Sequence, residues 1–179
     1  SYIMGQSLES TISNGIVIGD VSMDELLGIV EQHVANGCKR IKLKVSPRDG
    51  YERTRLVREA YPELVLAVDA NQSYTYDQLD MVAAYNDLNL LCIEEPFSMT
   101  NLTTYKAWKE SLPNWPITTS ICLDESILSY DDLSYAIEYR LIDVLNVKVG
   151  RLGGLIQTRA AILRCREAGI PYWIGSMVE

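Results

Sequence analysis

The sequence predicts a parallel α/β barrel rather than an open sheet, on two observations. Short apolar runs alternate with helix-like stretches along the chain, the pattern of a parallel sheet buried on both faces. Five successive runs also end on a charged residue: Lys44, Asp69, Glu94, Asp124 and Lys148, separated by 25, 25, 30 and 24 residues. One strand, one helix and two loops fill about that interval. A doubly wound sheet gathers its ligand contacts at one switch point, whereas a barrel turns every strand end toward one axis. Charges at this many consecutive strand ends favour closure.

Each element has its own signal. Gly15 to Gly19 is a short apolar run. Met23 to Asn36 places Leu26, Val30 and Val34 at helical spacing, with Gly37 where a C-cap belongs. Arg40 to Val45 is the next strand. Gly50 to Ala60 is a charged helix stopped by Tyr61-Pro62. Leu64 to Asp69 is a strand, and Tyr76 to Tyr85 a helix with Thr75 as N-cap and Asp77 in its first turn. Leu91 to Glu94 is a strand, followed by a short helix over Thr103 to Ser111. Pro113 and Pro116 mark a loop before the strand Ile121 to Asp124. Ser129 caps a helix over Tyr130 to Tyr139, with Asp131 and Asp132 in its first turn. Val144 to Lys148 is a strand. Leu152 to Ala168 is a helix with Leu155, Ile162 and Cys165 on one face, ended by Gly169. Tyr172 to Ile174 opens a seventh strand, where a closed barrel expects eight and about 250 residues. With no linker visible, residues 1–179 read as one barrel domain, cut from a longer protein.

A net charge of −8 argues against nucleic acid and anionic membrane surfaces, which attract basic patches. The four cysteines form no C-x-x-C pair, and Cys92 and Cys122 lie inside apolar runs, where a thiol acts as a small hydrophobe. That usage suits a reducing cytoplasm rather than a disulfide framework.

Asp69, Glu94 and Asp124 are the first candidates for chemistry. Alone, each reads as a solvated loop residue. Together they are three poor strand formers directly ending apolar runs, and a carboxylate at a buried strand end needs a partner. Three hard oxygen donors suit Mg²⁺, and the absence of histidine from the set disfavours zinc. His33, the only histidine, falls in the first helix and reads as surface or satisfied core. Lys42 and Lys44 are two apart, so they share one strand face, and the same holds for Asn146 and Lys148. The competing reading for the lysine pair is a solvated edge strand. Near a divalent cation a lysine can serve as a base around neutral pH. Gly150-Arg151-Leu152-Gly153-Gly154 can be an anion-holding helix start or simply a tight turn.

Lys42-Leu43-Lys44, Val68-Asp69-Ala70-Asn71, Ile93-Glu94-Glu95-Pro96, Leu123-Asp124-Glu125-Ser126 and the stretch from Asn146 to Gly154 occur in this order. The set resembles the enolase superfamily. It looks most like the muconate lactonizing enzyme subgroup, and within that the o-succinylbenzoate synthases and N-acylamino acid racemases. The resemblance implies a partial TIM-like (β/α)7β barrel, without the capping domain and the last strand. Ser1 to Gln6 would end the crossing into the barrel, and residues 175–179 would form the seventh-strand segment.

By the same resemblance Asp69, Glu94 and Asp124 would bind Mg²⁺, with Mn²⁺ as a substitute. Lys44 would be the acid/base and Lys148 would face it across the substrate. Lys42 would help fix the charge of Lys44. Asn71, Glu95, Glu125, Ser176 and Met177 would flank the ligands or touch substrate. Two positions depart from the pattern: Val17 stands where many relatives have serine, and Val149 where many have proline.

The implied activity is o-succinylbenzoate synthesis: proton abstraction next to a carboxylate, then loss of water, in menaquinone biosynthesis. Racemisation or cycloisomerisation by the same residues is the alternative. The implied partner is a small carboxylate substrate, with no nucleic acid or membrane, and assembly as a homo-oligomer is compatible with it. Two other classes compete. A Schiff-base lyase would use Lys148 as nucleophile but leaves the three carboxylates without a joint role. A barrel with open edges and no cap would be inactive as an isolated piece.

Overall fold

The structure, a computed structural model, describes residues 15–176. The expectations for Ser1 to Gln6 and for Met177 lie outside that range. In chain order the elements are β1 (Ile16–Ile18), α1 (Met23–Ala35), β2 (Arg40–Lys44), α2 (Gly50–Ala60), β3 (Val65–Asp69), α3 (Leu79–Ala83), β4 (Ile93–Glu94), α4 (Leu102–Ser111), β5 (Ile121–Leu123), α5 (Tyr130–Glu138), β6 (Val144–Lys148), α6 (Leu155–Ala168) and β7 (Tyr172–Gly175). They group into two compact units. One runs through Ser98 and includes Pro116–Ser120; the other comprises Met99–Trp115 and the chain from Ile121 onward.

In the first unit β1 to β4 are parallel and paired in chain order, with Val17 opposite Lys42, Lys44 opposite Asp69, and Asp69 opposite Glu94. The strict alternation of β2 decides its faces. Ile41 and Leu43 are fully buried, while Lys42 and Lys44 share the other face and keep partial exposure. Solvated-edge behaviour is excluded for β2, because it is paired on both sides. Helix α1 opens on a capping box that the sequence reading overlooked: Ser22 Oγ accepts from the Glu25 N–H at 3.4 Å, and Glu25 Oε2 accepts from the Ser22 N–H at 3.3 Å.

The charges of α2 are not all solvated. Arg53 is only 1% exposed and donates to the carbonyls of Gly19 and Val21, pinning the β1–α1 loop. Arg58 donates to the carbonyls of Leu64, Leu88 and Asn89, each at 2.8 Å. At the start of α2 a Cβ on Gly50 would lie 2.5 Å from Tyr85 Oη and 2.8 Å from Val45 Cβ. Alanine there gains up to about 1 kcal/mol of helix propensity, but overpacking a filled core costs about 1–3 kcal/mol. Gly50→Ala is therefore expected to lower stability, by a net ~1–2 kcal/mol in a urea melt.

The stretch Tyr76 to Tyr85 is not one helix. A 3₁₀ turn over Tyr76–Gln78 leads into the short α3, and a second over Ala84–Leu88 follows it. Packing overrides propensity here: Val82 and Tyr85 are fully buried, and Tyr85 Oη lies 2.9 Å from Tyr74 Oη. Leu91 precedes β4 and is 41% exposed, so the strand is shorter than its apolar run.

In the second unit β5, β6 and β7 are parallel in chain order, with Asn146 opposite Trp173 and Lys148 opposite Gly175. Ser129 caps α5 as expected, its Oγ accepting from the Asp132 N–H at 3.1 Å. Helix α6 begins at Leu155 rather than Leu152. Gly153 and Gly154 take φ of 84° and 105°, so residues 152–154 form a turn. That rotates Leu155 out to 51% exposure, while Ile162 and Cys165 sit in the core. Cys92, Cys122 and Cys165 are buried and unbridged, in keeping with the reading of Cys92 and Cys122 as small hydrophobes; burial pushes the Cys165 thiol up to about 11. Among the described residues no helix is long and apolar enough to cross a membrane.

Candidate active site

Parallel strands in register bring their C-terminal ends level, so the terminal side chains of β2, β3 and β4 meet. Lys42 Nζ donates to both oxygens of Glu94, at 3.0 and 2.9 Å, and lies 3.3 Å from Asp69 Oδ2. Lys44 Nζ donates to the same Asp69 oxygen at 2.7 Å and to Asn71 Oδ1 at 2.5 Å. Asp69 Oδ1 accepts from the Asn71 N–H at 3.1 Å. Asp69 and Glu94 are almost wholly removed from water. Beyond them Asn71, Gln72 and Glu95 adopt left-handed φ of 44°, 61° and 41°, a conformation that costs non-glycine residues and collects at functional sites. Glu95 is fully buried and accepts from Gln72 Nε2 at 3.2 Å.

Burial alone would push the Lys42 ammonium down, but the Glu94 and Asp69 carboxylates outweigh it and hold its pKa above that of an ordinary lysine. Burial likewise opposes ionisation of Asp69, and the charges of Lys42 and Lys44 with the Asn71 N–H hold it below the usual carboxylate range. The sign of the pH dependence follows. A depressed carboxyl stabilises fully above its unfolded pKa, about 3.9, and that stabilisation is lost as pH falls through the lowered folded value. The raised Lys42 stabilises fully below about 10.4 and loses this as pH rises through its folded value. Asp69→Asn is expected to flatten the acid limb of a stability-against-pH curve, read by urea melts between pH 2 and 7.

In the second unit Asp124 directly follows β5 and is 4% exposed. Its carboxylate accepts from Asn146 Nδ2 at 3.1 Å and from the Arg151 guanidinium, and Lys148 Nζ lies 3.3 Å from it. Lys148 also donates to the Ser176 carbonyl at 2.8 Å. Gly175 leaves room for this arrangement: a Cβ there would lie 3.1 Å from Lys148 Cε and overlap the Asn146 amide. Glu125 is half-buried beside Asp124. The sequence reading missed Arg151 and Gln72 as site residues. Arg151 carried a signal, as the one charge in the glycine-rich turn after Lys148.

Among the described residues no three His, Cys, Asp or Glu side chains form a ready cage for a metal ion. The carboxylates are compensated by ammonium and guanidinium groups instead. Their chemistry nonetheless fits a hard divalent cation. Asp69 and Glu94 offer buried oxygens at adjacent strand ends in register and already collect positive charge at 2.7–3.3 Å. Asp124 offers the same donor type in the second unit.

A parallel α/β fold with carboxylates and lysines at its strand ends defines a class, and comparison with known proteins gives its family. Residues 25–179 match the family described as enolase C-terminal domain-like, and the chain belongs to it. It is 37% identical over 169 residues to an o-succinylbenzoate synthase from Geobacillus kaustophilus, covering 94% of this chain and 44% of that one. It is 37% identical over 174 residues to an N-succinylamino acid racemase from Thermus thermophilus, covering 97% and 45%.

Among solved structures, a member of the enolase superfamily from Enterococcus faecalis superposes with a TM-score of 0.88 at 30% identity, covering 99% of this chain and 47% of that one. A dipeptide epimerase from Methylococcus capsulatus, complexed with a Mg ion, gives 0.80 at 28%, covering 94% and 49%. The chain thus spans about half the length of these proteins. The superfamily and the barrel-domain fold class expected from the motifs are borne out.

Proposed function

We propose that the protein containing this chain is an o-succinylbenzoate synthase, which dehydrates 2-succinyl-6-hydroxy-2,4-cyclohexadiene-1-carboxylate in menaquinone biosynthesis. The observation that carries the reading is the setting of Lys44, an amine held by Asp69 and Asn71 beside a second buried carboxylate–lysine pair. Asp69, Glu94 and Asp124 are assigned as ligands of Mg²⁺, which when bound supplies Lewis-acid stabilisation of the enolate formed from the substrate carboxylate.

Lys44 takes the proton from the carbon next to the carboxylate. It then returns a proton to the departing hydroxyl, so that water leaves by syn β-elimination and the ring becomes aromatic. Asn71 and Asp69 orient the Lys44 amine. Lys42 keeps Asp69 and Glu94 compensated. Lys148, tied to Asp124 and the Ser176 carbonyl, stays cationic and stabilises negative charge.

An equally similar racemase supports a second reading, in which Lys44 and Lys148 exchange the α-proton of an N-acylamino acid. Assaying the full-length protein for both reactions, with Mg²⁺ and with chelator, separates them. A higher kcat/KM for dehydration supports the synthase, and racemisation alone would overturn it in favour of the second reading. Undiminished turnover in chelator would remove the metal assignment.

A further inference from the structure

Between β3 and β4 the hydrogen-bond ladder continues past the ends of the strands. The Ala70 N–H donates to the Glu94 carbonyl at 2.9 Å, Gln72 to Glu95 at 2.7 Å, Tyr74 to Pro96 at 3.1 Å, and Ser98 to Tyr74 at 2.7 Å. The three left-handed residues Asn71, Gln72 and Glu95 lie within this extension, and Gln72 joins it twice, through its N–H and through its side-chain amide to Glu95. Sheet pairing alone explains neither a left-handed glutamate nor a fully buried carboxylate. An apolar residue would fill the same space without the desolvation cost. A cost retained directly beside Glu94, and opposite the turn that follows Asp69, points to positioning.

We propose that Gln72 is a positioning residue. By gripping Glu95 through both backbone and side chain, it holds the β3 and β4 ends at the spacing that lets Asp69 and Glu94 act on one cation. This rests on the assignment of those two carboxylates as ligands. In this role Gln72 is not itself a ligand; it acts through the Glu95 turn.

The test is Mg²⁺ binding by isothermal titration calorimetry, alongside Tm in chelator. Gln72→Gly removes the amide while keeping φ of 61° free of strain, so the fold persists. Tm is expected to stay within a few degrees while Mg²⁺ affinity falls fivefold or more. Gln72→Glu sets two carboxylates against each other and is expected to cost at least tenfold. Adding Glu95→Gln restores the amide–carboxylate pair in reverse and is expected to recover affinity to within about threefold of wild type. Unchanged affinity in folded Gln72→Gly, or affinity and Tm falling in step across all variants, would overturn the proposal. A wild-type protein that binds no Mg²⁺ would instead overturn the ligand assignment beneath it.

Discussion

Lys44→Ala in the full-length protein is expected to lower kcat for dehydration by about 10³-fold or more, the upper range for loss of a general acid–base. The substitution removes the group assigned to both proton transfers. It also releases Asp69 Oδ2 and Asn71 Oδ1, which accept from the Lys44 amine at 2.7 and 2.5 Å. Those released contacts can disturb geometry, so Lys44→Arg is the informative companion. Arginine keeps a positive charge for Asp69 and donors for Asn71 but does not lose its proton at any working pH. Near-wild-type Tm and cation binding with turnover still suppressed by about 10³-fold would assign the loss to proton transfer. Full activity in Lys44→Ala, read from the appearance of the aromatic product, would overturn the assignment. Partial loss in alanine with recovery in arginine would make Lys44 an electrostatic group instead.

The sequence disclosed a good deal of this site because its signal is local. The period of a strand places Lys42 and Lys44 on one face, and the alternating burial of β2 agrees with it. Asp69 and Glu94 were legible as polar residues directly ending apolar runs, and they prove to be register partners. Asp124 was located the same way. What stayed illegible depends on contacts between distant segments. Nothing in a charged helix distinguishes the buried Arg53 from the solvated Arg55, because the carbonyls of Gly19 and Val21 that Arg53 satisfies lie more than thirty residues away. The break in the helix after Thr75 has a similar cause, as the Tyr74–Tyr85 pair pulls the chain inward against its periodicity. The late start of α6 was within reach. Two successive glycines are better read as the turn before a helix than as its first residues.

Lys42→Met is expected to produce the largest loss of stability of any substitution at the site, about 3–5 kcal/mol at neutral pH in chelator, the range for removing one partner of a buried charge group. Lys42 bridges Glu94 and Asp69 from 2.9 and 3.3 Å, and its side chain is 18% exposed against 1% and 3% for theirs. Methionine preserves the aliphatic stem and deletes only the charge, leaving Lys44 alone to compensate two adjacent carboxylates. Of two further measurements, the first tests cation binding at these carboxylates and the second separates lost charge from lost packing. Mg²⁺ at 100 times its dissociation constant would restore about 2.7 kcal/mol through preferential binding to the folded state. Adding Glu94→Gln removes one of the repelling charges, so the double variant should be more stable than the sum of the single losses predicts, by roughly 0.5–3 kcal/mol in a double-mutant cycle. A Lys42→Met protein whose loss is small, indifferent to Mg²⁺ and additive with Glu94→Gln would show that the strand ends tolerate their carboxylates without the lysine, and the charge argument for a cation site would fall with it.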